Sequence, residues 1–274
     1  MSGRNGGEIV ILGCSGSGGV PRSGNDWGIC DPANPKNRRT RPSILIRSGH
    51  SSVVIDSGPD FREQTCRENI TRIDALIFTH VHTDHTAGID DIRPYWENQG
   101  LKDAGEGFPI FADQVSLDDL HHRFNYLFSS RSTLYPRRLH PHVIRDDQMG
   151  QELSVTADLS VIPFIQIHGN NQRSLGFRIG NVGYSTDMTD LDAAAINVLQ
   201  GIDTWVADGN NYYQEKSYVH ANKETLLRLQ AQIKPKQIFL THLDHKLDYA
   251  QMRADLPDGF APAYDGLVIP FKVD

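Results

Sequence analysis

Short runs of β-branched and aromatic residues recur along most of this 274-residue chain, with turn-forming residues between them. Runs of this length and composition are typical of β-strands separated by turns. The chain is therefore predicted to be rich in strands. The predicted strands lie in the segments EIVILG, SILIRSG, SSVVIDSG, DALIFTH, FPIFAD, LSVIPFIQIHG, LGFRIG, NVGYSTD, TWVADG, QIFLTH and GLVIPF.

Two pairs of neighbouring runs are predicted to form β-hairpins. The segment SILIRSGHSSVVIDSG would turn near Gly49 and His50, and LGFRIGNVGYSTD would turn at Gly180 and Asn181. Early hairpins followed by alternating strands and helices favour two mixed sheets packed face to face, with the helices outside. We therefore predict an α/β fold.

Helical periodicity appears between the later runs, and one long segment has no clear period. Thr189 and Asp190 are predicted to cap the second of three helices, and residues 129–151 are predicted to form a substrate-facing loop. The predicted helices span residues 116–128, 189–200 and 220–233.

The composition bounds the class of protein. A hydrophobic content of 38% is sufficient for a sizeable core, and we expect a single domain over residues 1–274, with residues 1–7 flexible. No run approaches the roughly 20 apolar residues of a membrane span, and three widely spaced cysteines suit a reducing compartment. The protein is expected to be soluble, cytoplasmic and free of membrane contact.

The charge balance limits the partners. Acidic residues outnumber basic ones 34 to 27, which gives a net charge of −7 and makes nucleic acid an unfavourable partner. Bound divalent cations would reverse the local sign, so a small anionic substrate remains compatible with the sequence. A homodimer is kept as an alternative to a monomer.

The segment IFTHVHTDHTAGIDD places a dense group of metal-binding side chains at the end of an apolar run. Alternate residues of an extended chain share a side, so His80 and His82 can converge on one ion. Asp84 and His85 lie past the bend, where they can face a second ion. Imidazole and carboxylate groups suit Zn²⁺, Mn²⁺ or Fe²⁺.

Two adjacent metal ions need more ligands than one loop supplies. Three further candidates each follow an apolar run: His168 after VIPFIQI, Asp187 after VGYST and His242 after QIFLT. A lone histidine at a strand end is usually structural, but three such ends together with the loop form a set. The set predicts a metal site built from distant segments.

Through THVHTDH, the later IHG, the STD turn and THLDH, the chain resembles the metallo-β-lactamase superfamily across nearly its whole length. The resemblance implies a four-layer αββα sandwich with a dinuclear site at one edge of the sheets. It also implies that Asp56, in VVIDSG, orients the ligand histidines. The implied ligands are His80, His82 and His168 for one ion, Asp84, His85 and His242 for the other, and Asp187 as the bridge.

Such a site predicts hydrolysis by a metal-bridging hydroxide, because two cations lower the pKa of a shared water. An alkoxide leaving group also needs a proton donor. His220, in SYVHANKE, lies at the start of a predicted helix and is not needed as a metal ligand. Asp84 and His220 are therefore the two residues that we predict to act in catalysis, with His220 as the general acid.

Within the superfamily, the chain is most similar to the cyclic phosphodiesterases that open phosphoribosyl 1,2-cyclic phosphate. The features that carry this resemblance are ILGCSGSGGVP, RRTRPS and the position of His220 before THLDH. Those enzymes also hold a structural zinc through several cysteines and a histidine. His245 and Cys30 match two of these ligands, but GNDWGICDPANPKN offers no second cysteine.

Substrate contacts are harder to place. Arg38, Arg39 and Arg41 could each bind phosphate through a forked guanidinium, and Arg38, Arg39 and His245 are our predicted substrate-binding residues. The glycine-rich GCSGSGGVP lacks the GK[ST] ending of a phosphate-binding loop, so we predict a tight turn near the metals.

The leading hypothesis is a dinuclear zinc- or manganese-dependent phosphodiesterase that acts on a small cyclic or nucleotide-like phosphodiester. One alternative is a tRNA 3′-processing-type endoribonuclease, which shares the ligand pattern. Thioester or β-lactam hydrolysis is another, although neither leaving group requires His220. The last is a protein that binds nucleotide or phosphate through its metals without turnover.

Overall fold

The computed structural model describes residues 6–130, 136–169, 172–216 and 218–273. Strands and helices alternate over most of this length. The strands are β1 (Gly7–Gly13), β2 (Ser43–Ser48), β3 (Ser51–Ile55), β4 (Ala75–Ile77), β5 (Phe108–Ala112), β6 (Leu139–Val143), β7 (Leu153–Ser154), β8 (Ser160–His168), β9 (Gln172–Ile179), β10 (Val182–Ser185), β11 (Thr204–Asp208), β12 (Gln237–Thr241), β13 (Phe260–Pro262) and β14 (Val268–Phe271). The helices are α1 (Phe61–Arg67), α2 (Thr83–Thr86), α3 (Arg93–Asn98), α4 (Leu101–Ala104), α5 (Gln114–Arg123), α6 (Asn125–Phe128), α7 (Ala193–Val198), α8 (Lys223–Ile233) and α9 (Tyr249–Asp255).

The strands form two mixed sheets of seven strands each, in the orders β14-β1-β2-β3-β4-β5-β6 and β13-β12-β11-β10-β9-β8-β7. Both predicted hairpins are confirmed, because Ser48 pairs with Ser51 and Ile179 pairs with Val182 in antiparallel register. Strands β3 to β6 run parallel to one another, as do β10 to β13. Loops that follow parallel strands therefore gather at one edge of each sheet.

Alternation along the strands produces the layers. On β2, Ile44 and Ile46 enter the core between the two sheets, whereas Leu45 faces a second core beneath the helices of the first half. On β11, Val206 joins the central core and Trp205 faces a third core beneath α7, α8 and α9. Because each sheet buries both faces, the predicted four-layer αββα sandwich is confirmed.

The helix predicted over 189–200 is shorter than expected, and its cap was assigned to the wrong residues. Helix α7 begins after Asp192, whose carboxylate accepts a hydrogen bond from Ala195 N at 2.8 Å. Thr189 N instead donates to Ile167 O, and Asp190 O accepts from Ile167 N. These backbone bonds hold Thr189 and Asp190 against β8, so neither can begin a helix.

Other boundaries also differ from the predictions. The helix predicted over 116–128 is interrupted at Phe124, which separates α5 from α6. The predicted loop at 129–151 contains strand β6, which pairs with β5, although residues 131–135 lie outside the described part. Residues 1–5 of the expected flexible start also lie outside it, and Gly7 already belongs to β1. None of the helices in the described segments has the length and apolar character of a membrane-spanning helix.

Candidate metal centre

The segments predicted to bind metal meet at one edge of the two sheets. Strand β4 of the first sheet leads into the loop that carries His80 and His82, and this loop continues into α2. In the second sheet, His168 ends β8, Asp187 follows β10 and His242 follows β12. The site therefore joins the two sheets, and the loops after parallel strands bring its side chains together.

One group of potential ligand atoms lies on the side of the first loop. His80, His82, His168 and Asp187 each offer a ligand atom, and these atoms all lie within 4.8 Å of one another. His168 Nε2 is 3.4 Å from His82 Nδ1 and 3.9 Å from Asp187 Oδ1. His168 Nδ1 lies 3.2 Å from Val219 O, which can hold this ring with Nε2 turned to the cluster.

A second group lies beside the first. The ligand atoms of Asp84, His85 and His242 are also within 4.8 Å of one another. Asp84 Oδ2 is 3.4 Å from His85 Nε2 and 3.5 Å from His242 Nε2. Asp187 Oδ2 lies 2.9 Å from His85 Nε2 and 3.2 Å from His242 Nε2, whereas its Oδ1 faces His168. Asp187 thus lies between the two groups.

The chemistry of these donors fits divalent cations. Nε2 of His80, His85 and His242 is buried without a hydrogen-bond partner of acceptable geometry among the described residues, although two of these atoms lie close to carboxylate oxygens. Unpartnered buried nitrogens are costly unless something binds them. Neutral imidazoles and carboxylates without a thiolate are suitable ligands for divalent metals.

The electrostatics of the cluster also favour the binding of cations. Burial, together with the charge of His85, lowers the pKa of His80 well below its usual value, which favours the neutral imidazole that a metal requires. Burial opposes protonation of His85, but the Asp187 and Asp56 carboxylates outweigh it and raise the pKa of His85 well above its usual value. The buried carboxylates therefore stabilise positive charge in the site.

Asp56 supports the cluster from beneath. It is completely buried, and its Oδ1 accepts a hydrogen bond from Thr79 N at 2.8 Å. Its Oδ2 accepts a hydrogen bond from Thr79 Oγ1 at 2.9 Å and lies 2.7 Å from His85 Nδ1. A carboxylate that holds Nδ1 turns Nε2 toward the cluster, which is the geometry expected of an orienting residue.

Three residues of the site have left-handed backbone. The φ angles are 66° at Asp56, 50° at Asp187 and 61° at His242. Residues other than glycine adopt this region rarely, and each instance costs on the order of 1 kcal/mol. The chain turns sharply after the three strands, and the turns bring the side chains into the cluster.

His220 lies against the second group. Its ring centroid is 4.8 Å from that of His242, and one of its nitrogens lies within 4.8 Å of the ligand atoms of Asp187 and His242. Its Nδ1 is 2.7 Å from Oδ2 of Asp208, which the sequence analysis missed. Asp208 ends β11, so the strand-end signal that identified Asp187 and His242 also applied to it.

The predicted substrate contact of Arg39 has no support in the structure, because its guanidinium is buried and its Nη2 is used in structural contacts. The residue is 1% exposed, and its Nη2 donates to Cys30 Sγ, Asp244 O and Leu247 O at 3.3, 3.0 and 2.7 Å. These bonds tie the segment before β2 to the loop after β12.

The other two predicted substrate contacts lie outside the cluster. Arg38 is exposed, with its guanidinium 5.2 Å from the centre of the Trp27 ring. His245 Nε2 is 3.2 Å from Arg22 Nη1, and its ring packs beneath Gly28. The substrate roles of these two residues remain predictions without a supporting contact.

The residues around Cys30 do not fit an additional structural zinc. Cys30 and His245 belong to no cluster of three potential ligands among the described residues. Cys30 Sγ lies against the Arg39 guanidinium and two backbone carbonyls, and burial raises the pKa of its thiol. A neutral thiol beside a fixed positive charge is a poor ligand for a cation.

Comparison with known proteins identifies related sequences. A family described as the beta-lactamase superfamily domain matches residues 51–243. An octanoyltransferase of Porphyromonas gingivalis is 32% identical over 264 residues, which are 95% of this chain and 51% of that protein, so the chain spans about half the length of this relative. A ribonuclease Z of Mycolicibacterium gilvum is 33% identical over 60 residues, 21% of each protein.

Among solved structures, one described as a new diphosphatase from the PhnP family superimposes with a TM-score of 0.86. The two chains are 30% identical, and the superposition covers 98% of each. The similarity therefore extends over nearly the whole of both chains.

Proposed function

Because the chain belongs to the metallo-β-lactamase superfamily of hydrolases, we propose that it is a dinuclear metal-dependent phosphodiesterase for a small cyclic or nucleotide-like phosphodiester. Two divalent cations would supply Lewis acidity and a nucleophilic water at neutral pH. His80, His82 and His168 would hold one of them, Asp84, His85 and His242 the other, and Asp187 would contact both. Zn²⁺ and Mn²⁺ are the metals that we expect.

The observation that carries the proposal is the placement of His220. Its Nδ1 is held by Asp208 at 2.7 Å, and its ring stacks on that of His242. A proton held at Nε2 would therefore lie beside the ligand cluster, where a leaving oxygen would emerge. Phosphodiester hydrolysis needs this proton because an alkoxide is a poor leaving group, whereas a thiolate leaves without one.

The comparisons support a phosphoric ester as the substrate. The PhnP-family protein that superimposes over 98% of both chains is described as a diphosphatase, and a shorter segment of the chain is similar to a ribonuclease Z. The name octanoyltransferase describes a protein of which this chain matches only 51%, so acyl transfer is not assigned to the matched half. Both phosphodiesters and diphosphates belong in the test.

The test is turnover by protein reloaded with Zn²⁺ or Mn²⁺. The substrates are bis(p-nitrophenyl) phosphate, nucleoside and ribose cyclic phosphates, and dinucleoside diphosphates, with an octanoyl thioester as the comparison. We expect hydrolysis of at least one phosphoric ester, and its loss on chelation. Turnover of the thioester alone would refute the proposal.

A tRNA 3′-processing endoribonuclease is the second candidate, and the ribonuclease Z similarity favours it. The net charge of −7 opposes binding of a long polyanion. Cleavage of a precursor tRNA at rates above those for small phosphodiesters would establish this alternative. A protein that binds phosphate without turnover would retain its ligand affinity and show no hydrolysis of any substrate.

A further inference from the structure

The three left-handed residues of the metal centre share a second feature, which is a hydrogen bond from a side chain to their own carbonyl oxygen. The donors come from different parts of the chain, since Ser43 begins β2, Ser174 lies in β9 and Asn210 follows β11. The pairs, each 2.8 Å apart, are Ser43 Oγ to Asp56 O, Ser174 Oγ to Asp187 O and Asn210 Nδ2 to His242 O. The same bond is thus formed three times from unrelated segments.

The peptide group that follows each left-handed residue is also held at its other end. The carbonyl of one residue and the N–H of the next lie in the same plane, so bonds at both ends prevent this plane from rotating. The N–H donors and their acceptors are Ser57 N to His85 O at 2.8 Å, Met188 N to Asp208 Oδ2 at 3.1 Å and Leu243 N to Cys14 O at 2.7 Å. The two bonds together fix ψ of the left-handed residue and, with it, the direction of its side chain.

Other left-handed residues of the chain lack this bond. Asn25, Asn69 and Lys234 have φ angles of 62°, 50° and 57°, and all three are exposed. Within the described segments, no side chain donates a hydrogen bond to the carbonyl oxygen of any of them. Water can satisfy an exposed carbonyl, so these turns need no dedicated donor. The side-chain bond therefore distinguishes the metal centre from ordinary left-handed turns.

The hydroxyl of Ser174 is restricted to its role as a donor to Asp187. Ser174 Oγ accepts a hydrogen bond from Gln166 Nε2 at 3.0 Å, and the same Nε2 donates to Thr186 O at 2.8 Å. Both Gln166 and Ser174 are buried. Left-handed backbone in residues other than glycine persists only where the surrounding structure imposes it, and a buried carbonyl requires a partner. The Ser174 hydroxyl meets both requirements at Asp187.

We propose that Ser43, Ser174 and Asn210 are positioning residues, which hold the backbone of Asp56, Asp187 and His242 in the left-handed conformation and thereby direct these side chains into the metal centre. Each acts through the residue whose carbonyl it binds. The inference rests on the proposed dinuclear centre and does not depend on the substrate. Because Asn210 Nδ2 also lies 3.2 Å from His242 Nδ1, the two serines provide the clearer test.

The test measures metal binding by competition with a chromophoric chelator, for the wild type, Ser43→Ala and Ser174→Ala. Loss of a group that orients a metal ligand typically weakens metal binding by about 10–100-fold, and we expect about tenfold in each variant. Ser174→Ala should weaken the binding of both ions, because Asp187 lies between the two ligand groups. Ser43→Ala should weaken mainly the ion held by the second group, because Asp56 contacts His85 of that group.

Ser48→Ala is the matched control. Ser48 is a buried serine at the other end of β2, and its Oγ donates to Asp158 O, which lies away from the cluster, at 3.1 Å. This variant should keep the metal affinity of the wild type. A lower melting temperature in Ser43→Ala and Ser174→Ala without a change in metal affinity would indicate a merely structural role and overturn the inference. Equal weakening of metal binding in Ser48→Ala would also overturn it.

Amide hydrogen exchange tests the same inference in the metal-free protein. Ser174→Ala should speed exchange at Met188 N, and Ser43→Ala should speed exchange at Ser57 N, because each peptide group loses the bond at its other end. Ser48→Ala should change neither rate. Wild-type exchange rates at both positions in the serine variants would contradict the inference. Failure of the proposed function appears separately, as absence of hydrolysis by the wild type in the substrate panel.

Discussion

His220 Nδ1 lies 2.7 Å from Oδ2 of Asp208, a completely buried carboxylate at the end of β11. Met188 N donates to the same oxygen at 3.1 Å, and Asn210 N donates to Oδ1 at 3.0 Å. Asp208 is thus fixed by the backbone on both oxygens. It determines which nitrogen of His220 can give up a proton to a substrate.

This pair predicts a pH dependence. Burial lowers the pKa of His220, but the Asp208 carboxylate, with help from Asp187 and Asp84, outweighs it and raises the pKa to about 9. Bound cations would offset the contributions of Asp187 and Asp84 to the raised pKa of His220. The contribution of Asp208 would remain. The Asp208 carboxylate thus favours the protonated acid, and kcat/KM should fall as pH rises through the pKa that His220 has in the metal-loaded site.

Asp208→Asn should move that basic limb to lower pH, because the amide no longer stabilises the imidazolium. Activity at pH 8 should consequently fall more than activity at pH 6. The measurement is the pH profile of kcat/KM for the wild type and the variant, at constant metal content. If kcat/KM of the variant is lower at every pH but begins to fall at the same pH as in the wild type, Asp208 does not set the pKa of His220.

Replacement of His220 should affect substrates according to their leaving groups. Loss of a general acid costs about 10²–10⁴-fold in rate where the leaving group is an alkoxide. Esters of p-nitrophenol have a leaving group that departs without protonation. His220→Ala should therefore slow a ribose cyclic phosphate far more than bis(p-nitrophenyl) phosphate.

Because a nitrogen of His220 lies within 4.8 Å of the ligand atoms of Asp187 and His242, it could instead bind metal. In that case, His220→Ala would slow both substrates equally and lower the metal content. Elemental analysis of the variant distinguishes the two roles. The exposed His122→Ala should change neither quantity.

Asp187 lies between the two ligand groups, and its removal should affect both. We expect the wild type to bind about two divalent ions per chain and Asp187→Ala to bind fewer, with hydrolysis lost. Elemental analysis after dialysis gives the stoichiometry, and Asp118→Ala on the exposed face of α5 provides the control. Full metal content in Asp187→Ala would exclude the bridging position.

Asp56 should influence metal affinity without contacting the metal. In Asp56→Asn, the amide group can face His85 Nδ1, where a hydrogen-bond acceptor is required when Nε2 binds a cation. Loss of such an orienting group typically costs about 10–100-fold in metal affinity. Competition with a chromophoric chelator measures this change.

Thr79→Val tests the same network more mildly. It removes the Oγ1 hydrogen bond to Asp56 and the 3.0 Å contact of Oγ1 with His80 Nδ1, but keeps the bond from Thr79 N and the contact of Asp56 with His85. Its metal affinity should lie between those of the wild type and Asp56→Asn. A greater loss in Thr79→Val than in Asp56→Asn would contradict the assignment.

The sequence was sufficient for the sheets and for the segments that form the cluster. Runs such as SILIRSG and QIFLTH show the alternation or continuous burial of strands, and their ends carry the side chains that meet in the structure. His168, Asp187 and His242 could be identified because each follows such a run. Asp208 ends TWVAD in the same way, so the same signal applied to it, and only its contact with His220 in the fold distinguishes it from an ordinary strand-end aspartate.

Some features of the structure depend on long-range contacts, and local sequence patterns do not predict them. The polar LHPHV has no strand-like pattern and becomes β6 because β5 offers it an open edge. Three arginines stand within four positions, but only the fold shows that Arg39 is buried against Leu247 O and that Arg41 extends toward Gly19. Local propensity contains no information about which neighbour the tertiary structure will supply.

The left-handed backbone at Asp56, Asp187 and His242 has a consequence for how the chain would change under relaxed selection. Glycine carries no steric penalty in this conformation, and asparagine tolerates it better than most residues. In a library of random variants selected for folding alone, these three positions should drift toward glycine or asparagine. Recovery of the original aspartates and histidine only when hydrolysis is also demanded would show that the present residues persist for their chemistry.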